Sequence, residues 1–314
     1  MSTCKNNVHL AIAMISISLG SCSKTDAPLR SERFQQLEAI ERTLRPLHQR
    51  LGEPKPGEWL AEHEEPGQTF QQYVAGRPNK LEEKRRVLYV QPIGVFDRKQ
   101  QEIVQLSAEF MGLYFNCPVK MLETMPDSAI PQKARRVHRS WDVPQILTDY
   151  VLYDVLKPAL PDDAFAMIAF TSSDLWPGKG WNFVFGQASL RDRVGVWSIY
   201  RNGDPNLGEA DFQLCLLRTL KTATHETGHM FSMQHCIQYE CNMCGSNHRE
   251  ESDAKPVYLC PECLAKVLWS TGADAKQRFE KLAEFCQRNS LNEEAEFYRR
   301  SLETLADARP INTP

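Results

Sequence analysis

With 314 residues, the chain is long enough for one large domain or two small ones. Hydrophobic residues make up 42% and charged residues 25%, the balance of a soluble globular protein. A formal net charge of −3, a pI near 6.3 and the lack of any strongly basic run argue against a nucleic-acid partner.

The chain opens with Lys5 ahead of an apolar run from Leu10 to Leu19, followed by Gly20, Ser21 and Cys22. A basic start, a short apolar core and small residues before a cysteine predict a signal peptide over 1–22. The Leu19-Gly20-Ser21-Cys22 ending resembles a bacterial lipobox. Cys22 is therefore expected to be acylated and to anchor the protein in a bacterial cell envelope, with a cytoplasmic location as the alternative. The run is too short, and holds too many serines, to be a permanent membrane helix.

Phe34, Leu37, Ile40, Leu44 and Leu47 recur at helical spacing within 31–51, with Ser31 as cap and Gly52-Glu53-Pro54 as stop. Pro46 inside this stretch predicts a kink or an earlier end. Residues 54–67 read as an extended arm, with Trp59, Phe70 and Tyr73 as its anchors. A strand is predicted at 87–95, a helix over 100–114 on Ile103, Leu106, Phe110 and Leu113, and a strand at 119–122. That β-α-β beginning implies a parallel sheet. Residues 132–139 read as basic and exposed, and 143–156 as a helix stopped by Pro158 and Pro161. The continuous apolar run Ala164 to Phe170 is a central strand. An edge strand follows at 183–188, where extended peptide could add by main-chain hydrogen bonds, and another strand at 194–200. A turn at 202–205 leads to a helix from Glu209, buried through Phe212, Leu216, Leu217 and Leu220. Two more helices are predicted at 273–286 and 293–305 and are expected to pack on the N-terminal one.

The helix from Glu209 runs into His225-Glu226-Thr227-Gly228-His229. Histidines four apart share one helix face and form half of a tetrahedral zinc site. Glu226 lies between them, where a general base must sit to take a proton from water that the metal activates. His235 follows after a short break, at a spacing that suits a third ligand. Three protein ligands leave one position open, the mark of a catalytic rather than a structural zinc. Five of the ten cysteines cluster between Cys236 and Cys263, which favours metal over disulfides. On spacing alone, Cys241, Cys244, Cys260 and Cys263 form a ribbon-like set. His63, His138 and His248 read as surface residues, and Cys117, Cys215 and Cys286 as small buried apolar residues. Tyr200 and Trp197 are near enough in sequence to reach the site, with no spacing argument for either.

These residues resemble the metzincin metallopeptidases and, within them, the archaemetzincins. The matching residues are His225, Glu226, His229, His235, Cys236, Cys241, Met243, Cys260 and Cys263. The resemblance implies an α/β, metzincin-like zincin: a mixed twisted sheet, an active-site helix, and additional N- and C-terminal helices. It implies a catalytic zinc on His225, His229 and His235, and a structural zinc on Cys236, Cys241, Cys260 and Cys263, so two zinc ions per chain. That second set competes with the ribbon-like one, and it leaves Cys244 a spare thiol. Met243 would form the turn beneath the three histidines, against a bland reading as a core methionine. Glu226 would be the catalytic base, a peptide the substrate, and aminopeptidase action on short substrates one form of the activity. Ser232 departs from the pattern, which has glycine there to turn the chain toward the third ligand. The resulting division is a leader (1–22), an N-terminal helix and arm (23–83), a catalytic domain with the thiolate site (84–270) and C-terminal helices (271–314), working as a monomer.

Overall fold

A computed structural model describes residues 31–189 and 191–307. The leader and Cys22 lie outside the described residues. The molecule is a mixed α/β structure built on a five-stranded sheet of order β2-β1-β5-β8-β7. Its strands are β1 (Val87–Ile93), β2 (Val119–Met121), β5 (Ala164–Thr171), β7 (Gly186–Ser189) and β8 (Val194–Ser198). The first four in sheet order run parallel, and β7 adds antiparallel to β8 as an edge. Every residue of β5 is buried, as its unbroken apolar sequence requires of a strand covered on both faces.

Alternation along the strands feeds two cores. Leu88, Val90, Ile168 and Phe170 face the larger one, with α4 (Arg98–Tyr114) and α5 (Glu209–Met230). Val87, Tyr89, Met167 and Ala169 face the smaller one, with Ile146, Leu152 and Leu175. Helix α4 starts where Asp97 and Gln100 form a reciprocal capping box, two residues before the predicted start.

The segments before and after the sheet share the larger core. Helix α1 (Glu32–Leu44) is capped by the Ser31 hydroxyl and stops at Leu44, and Pro46 sits in a single 3-10 turn beyond it. The arm carries two short helices, α2 (Trp59–Glu62) and α3 (Phe70–Ala75), and Trp59, Phe70 and Tyr73 are all buried. After α5 come α6 (Arg249–Ala254), α7 (Pro261–Thr271), α8 (Ala275–Arg288) and α9 (Asn292–Asp307). Phe34, Leu37 and Leu44 of α1 pack in one cluster with Leu264, Leu268, Phe279 and Tyr298 from these helices.

Two expectations are corrected. Residues 143–147 are strand β4 (Val143–Leu147), and the helical turns run from Thr148, partly as a π-helix to Leu156 and then as a 3-10 turn over Lys157–Ala159 that includes Pro158. Pro144 and the cross-strand partners decide this: β4 pairs antiparallel with β3 (Arg135–His138) and parallel with β6 (Asp174–Trp176). The stretch 132–139, read as exposed, is therefore largely β3, with Arg136 half-buried over the Trp176 ring and bonded to the carbonyls of Trp181 and Asn182.

Candidate active site and its metal centres

Helix α5 carries His225 and His229 on one face, both half-buried, and His225 lines a cleft of about 120 Å³. Edge strand β7 begins at Gly186, and Phe183, Phe185 and Gly186 line the wall opposite Trp59 and Gly245. Helix α5 ends in a Schellman motif: Ser232 N–H donates to the His229 carbonyl at 2.7 Å and Met233 N–H to the Gly228 carbonyl at 3.2 Å. Ser232 takes the left-handed conformation, φ 68°, which turns the chain back toward the helix. Asn79 offsets the cost of a non-glycine residue there, because its backbone N–H donates to the Ser232 hydroxyl at 3.1 Å. The turn brings His235 beside the other two rings, 5.3 Å from His225 and 4.9 Å from His229 between centroids.

All three rings engage an acceptor through Nδ1. His225 Nδ1–H donates to the Asn242 carbonyl and His229 Nδ1–H to the Met233 carbonyl, each at 2.7 Å. His235 Nδ1–H donates to Glu65 Oε1 at 2.8 Å. With Nδ1 serving as the donor, the neutral form of each ring carries its lone pair on Nε2. The Nε2 atoms of His225 and His229 are 3.1 Å apart, and His235 Nε2 is buried with no hydrogen-bond partner. The three donor atoms lie within 4.8 Å of one another. Burial pushes His225 down to about 4 and His229 down to about 3, so both are neutral at pH 7, as ligands must be. The His225 and His229 Nε2 atoms 3.1 Å apart, with the orphaned Nε2 of His235 beside them, fit a divalent cation.

Gly228 explains the position of Met243. A Cβ at residue 228 would stand 2.5 Å from Met243 Sδ, so the methionine packs directly under the helix turn that carries both histidines. Asn242, one residue earlier, holds His225 by its carbonyl and Thr224 by its side chain at 2.8 Å.

The sulfur cluster follows the same loop. The Sγ atoms of Cys236, Cys241, Cys260 and Cys263 lie within 4.8 Å of one another, and all four residues are buried. Cys236 and Cys260 sulfurs are 3.7 Å apart, close to the edge of a tetrahedron built on bonds of about 2.3 Å. Cys260 is the N-cap of α7, with Pro261 at the first helical position, so the Cys-x-x-Cys spacing sets both thiols in the first turn. Cys241 Sγ accepts backbone N–H groups from Met243 and Cys260, and Cys260 Sγ accepts one from Cys263. Such donors, at the positive end of a helix, favour thiolate. Cys244 is outside the cluster, and its thiol donates to the Tyr239 carbonyl at 3.2 Å.

Glu226 lines the cleft with His225 and His235, and burial pushes its carboxyl above the usual range. Lys221 and Lys255 line the same cleft. Trp197 is buried under the sheet and Tyr200 is 47% exposed, and neither lines the cleft. His63 is half-buried against the Trp59 ring, 3.9 Å between centroids, rather than free at the surface. Glu65 and Asn242 were not singled out from sequence. Asn242 lies inside the Cys-x-Met segment, where its neighbours gave a signal. Glu65 is 170 positions from the histidine it holds, and nothing local marks it.

The family described as peptidase family M54 matches residues 145–268. Archaemetzincin-2 of Rattus norvegicus is 32% identical over 285 residues, covering 81% of this chain and 79% of that protein. This chain belongs to the archaemetzincin family. The archaemetzincin of Thermococcus kodakarensis is 32% identical over 187 residues, covering 58% of this chain and 96% of that protein. Among solved structures, archaemetzincin from Methanopyrus kandleri has 28% identity and a TM-score of 0.49, covering 61% of this chain and 98% of that one. As an archaemetzincin the protein is a zinc-dependent metallopeptidase, a hydrolase acting on peptide bonds. Zinc is therefore the metal against which the two clusters are judged, and imidazole and thiolate donors both suit it.

Proposed function

We propose that this archaemetzincin, a monomer, binds two zinc ions: one on His225, His229 and His235 at the cleft, and a structural one on Cys236, Cys241, Cys260 and Cys263. Glu226 is the general base for peptide-bond hydrolysis. The observation that carries the reading is that each Nδ1 is engaged by an acceptor while the three rings bring their remaining donor atoms within 4.8 Å of one another. Zinc held there supplies a Lewis acid that lowers the pKa of water toward about 7 and polarises a carbonyl. Glu226 takes the proton from the attacking water and returns it to the leaving amine. Burial raises its proton affinity, which suits both transfers, and a bound cation opposes that rise. The edge of β7 offers main-chain groups to an extended peptide lying across the cleft.

Of the other charged groups on the cleft lining, Lys255 attracts a carboxylate and repels an ammonium, while the Lys221 ammonium is bonded to the Ser252 and Asp253 carbonyls. This favours cleavage that does not depend on a free α-amine. One experiment addresses both points: hydrolysis of a peptide library, with and without N-acetylation, by wild type and Glu226→Gln. The variant should keep its zinc and lose about 10²–10⁴ of the rate, and acetylated peptides should be cut at least as well as free ones. Full activity in Glu226→Gln would remove the assigned base. Strict dependence on a free amine would make the enzyme an aminopeptidase instead.

For the leader we propose acylation at Cys22 and attachment to a bacterial envelope, on its sequence alone. Cys22→Ala should move the protein from the membrane fraction to the soluble one, and an unchanged distribution would reject the anchor.

A further inference from the structure

The third histidine is held differently from the other two. His225 and His229 donate to backbone carbonyls of the chain around them. His235 donates to a side-chain carboxylate from the arm between α1 and α3, at 2.8 Å, with the two side chains only 2% and 14% exposed. The arm that carries Glu65 is held against the turn at several points.

Trp59 sets its edge against the His235 ring at 5.2 Å, and a Cβ on Gly245 would meet its indole at 2.5 Å. Gly67 turns with φ 66° so tightly over Ile237 that a Cβ there would fall 2.6 Å from that side chain. Gln68 accepts the Gln234 N–H and donates to the Ser232 carbonyl, both at 3.2 Å, and Asn79 binds the Met230 carbonyl at 2.8 Å. The arm therefore straps the whole turn from Met230 to Ile237, and its half-buried Glu65 carboxylate lands on His235.

We propose that Glu65 is a positioning residue of the histidine centre: it fixes the Nδ1–H tautomer of His235, aims Nε2 at the metal and raises its basicity, which makes the N-terminal arm part of the catalytic centre. The proposal rests on the zinc reading of the three histidines given above. A hydrogen-bonded carboxylate behind a ligating imidazole typically accounts for about 10–100-fold in metal affinity.

The test is zinc affinity in the full chain, measured by competition with a chromophoric chelator, for wild type, Glu65→Gln and Glu65→Ala. Glu65→Gln keeps shape and an acceptor oxygen but loses the charge. The more weakly held zinc should bind about 10–100-fold less tightly in Glu65→Ala and to an intermediate degree in Glu65→Gln. The thiolate zinc should be unchanged and serves as an internal reference. In proton–nitrogen spectra of the zinc-loaded protein, the His235 Nδ1–H resonance should lose its downfield position in Glu65→Ala. A merely structural arm would lower the melting temperature of both variants and move neither reading. Affinity within about twofold of wild type in both variants, with the resonance in place, overturns the proposal. A wild type with no chelator-sensitive zinc overturns the histidine reading and the proposal with it.

Discussion

Gly228 sits between the two helix histidines, and its missing side chain decides whether Met243 can lie beneath them. Alanine there would press Cβ into Met243 Sδ from 2.5 Å and Met243 Cε from 3.1 Å. Gly228→Ala should therefore cost about 1–3 kcal/mol in denaturant unfolding, by overpacking. A loss under about 0.5 kcal/mol would show that the methionine moves freely and does not support the site. The same scale shows what residue chemistry revealed in advance. His225, Glu226 and His229 were marked as candidates by imidazole spacing on a helix, which has few uses besides metal, and the fold brings His235 to the same cluster. Ser232 was legible as a departure, but the Asn79 contact that steadies it was not, since it comes from 153 positions away. Spacing alone left two thiol sets open. In the fold Cys244 turns to the Tyr239 carbonyl while Cys236 joins Cys260.

Helices with clear apolar periodicity were the most readable elements: α1, α4, α5, α8 and α9 all lie close to where their spacing put them. Strand β4 was missed because Val143 to Leu156 mixes apolar residues in a way that helical spacing also fits, and only its partners β3 and β6 settle the matter. Helix α7 was not expected, because it is buried on nearly all sides and its apolar residues form no single helical stripe. The docking of α1 and α9 carries a pH dependence. His48 lies among the rings of Tyr239, Tyr258 and Phe297, its Nδ1 buried and unpartnered, and burial pushes it down to about 4. Its unfolded value is about 6.5, so below that pH the unfolded chain takes up a proton that the folded one refuses. This contribution to stability is complete above about pH 6.5 and is lost as pH falls toward 4, with a slope of up to about 1.4 kcal/mol per pH unit. His48→Phe should flatten the fall of the denaturation midpoint in that window. An identical pH profile in the variant would place the acid sensitivity elsewhere.

At the scale of the whole molecule, the N-terminal helix, the arm and the C-terminal helices share one hydrophobic core with the sheet. Sequence patterns gave these segments as separate pieces, because the contacts that join them run between residues far apart in the chain and leave no local periodicity. The strap from Trp59 to Asn79 across the third ligand is the clearest case. The histidine and cysteine clusters are linked in the same way. Cys236 directly follows His235, and its N–H donates to the Met243 carbonyl at 2.8 Å, so the sulfur site fixes the loop that carries both the third imidazole and the methionine beneath the others. The most direct test is zinc content per chain in wild type, His235→Ala and Cys236→Ala, measured after gel filtration. The account predicts about two ions in wild type, about one in His235→Ala and fewer than two in Cys236→Ala. A His235→Ala protein that keeps both ions, or a wild type that holds only one, would contradict it.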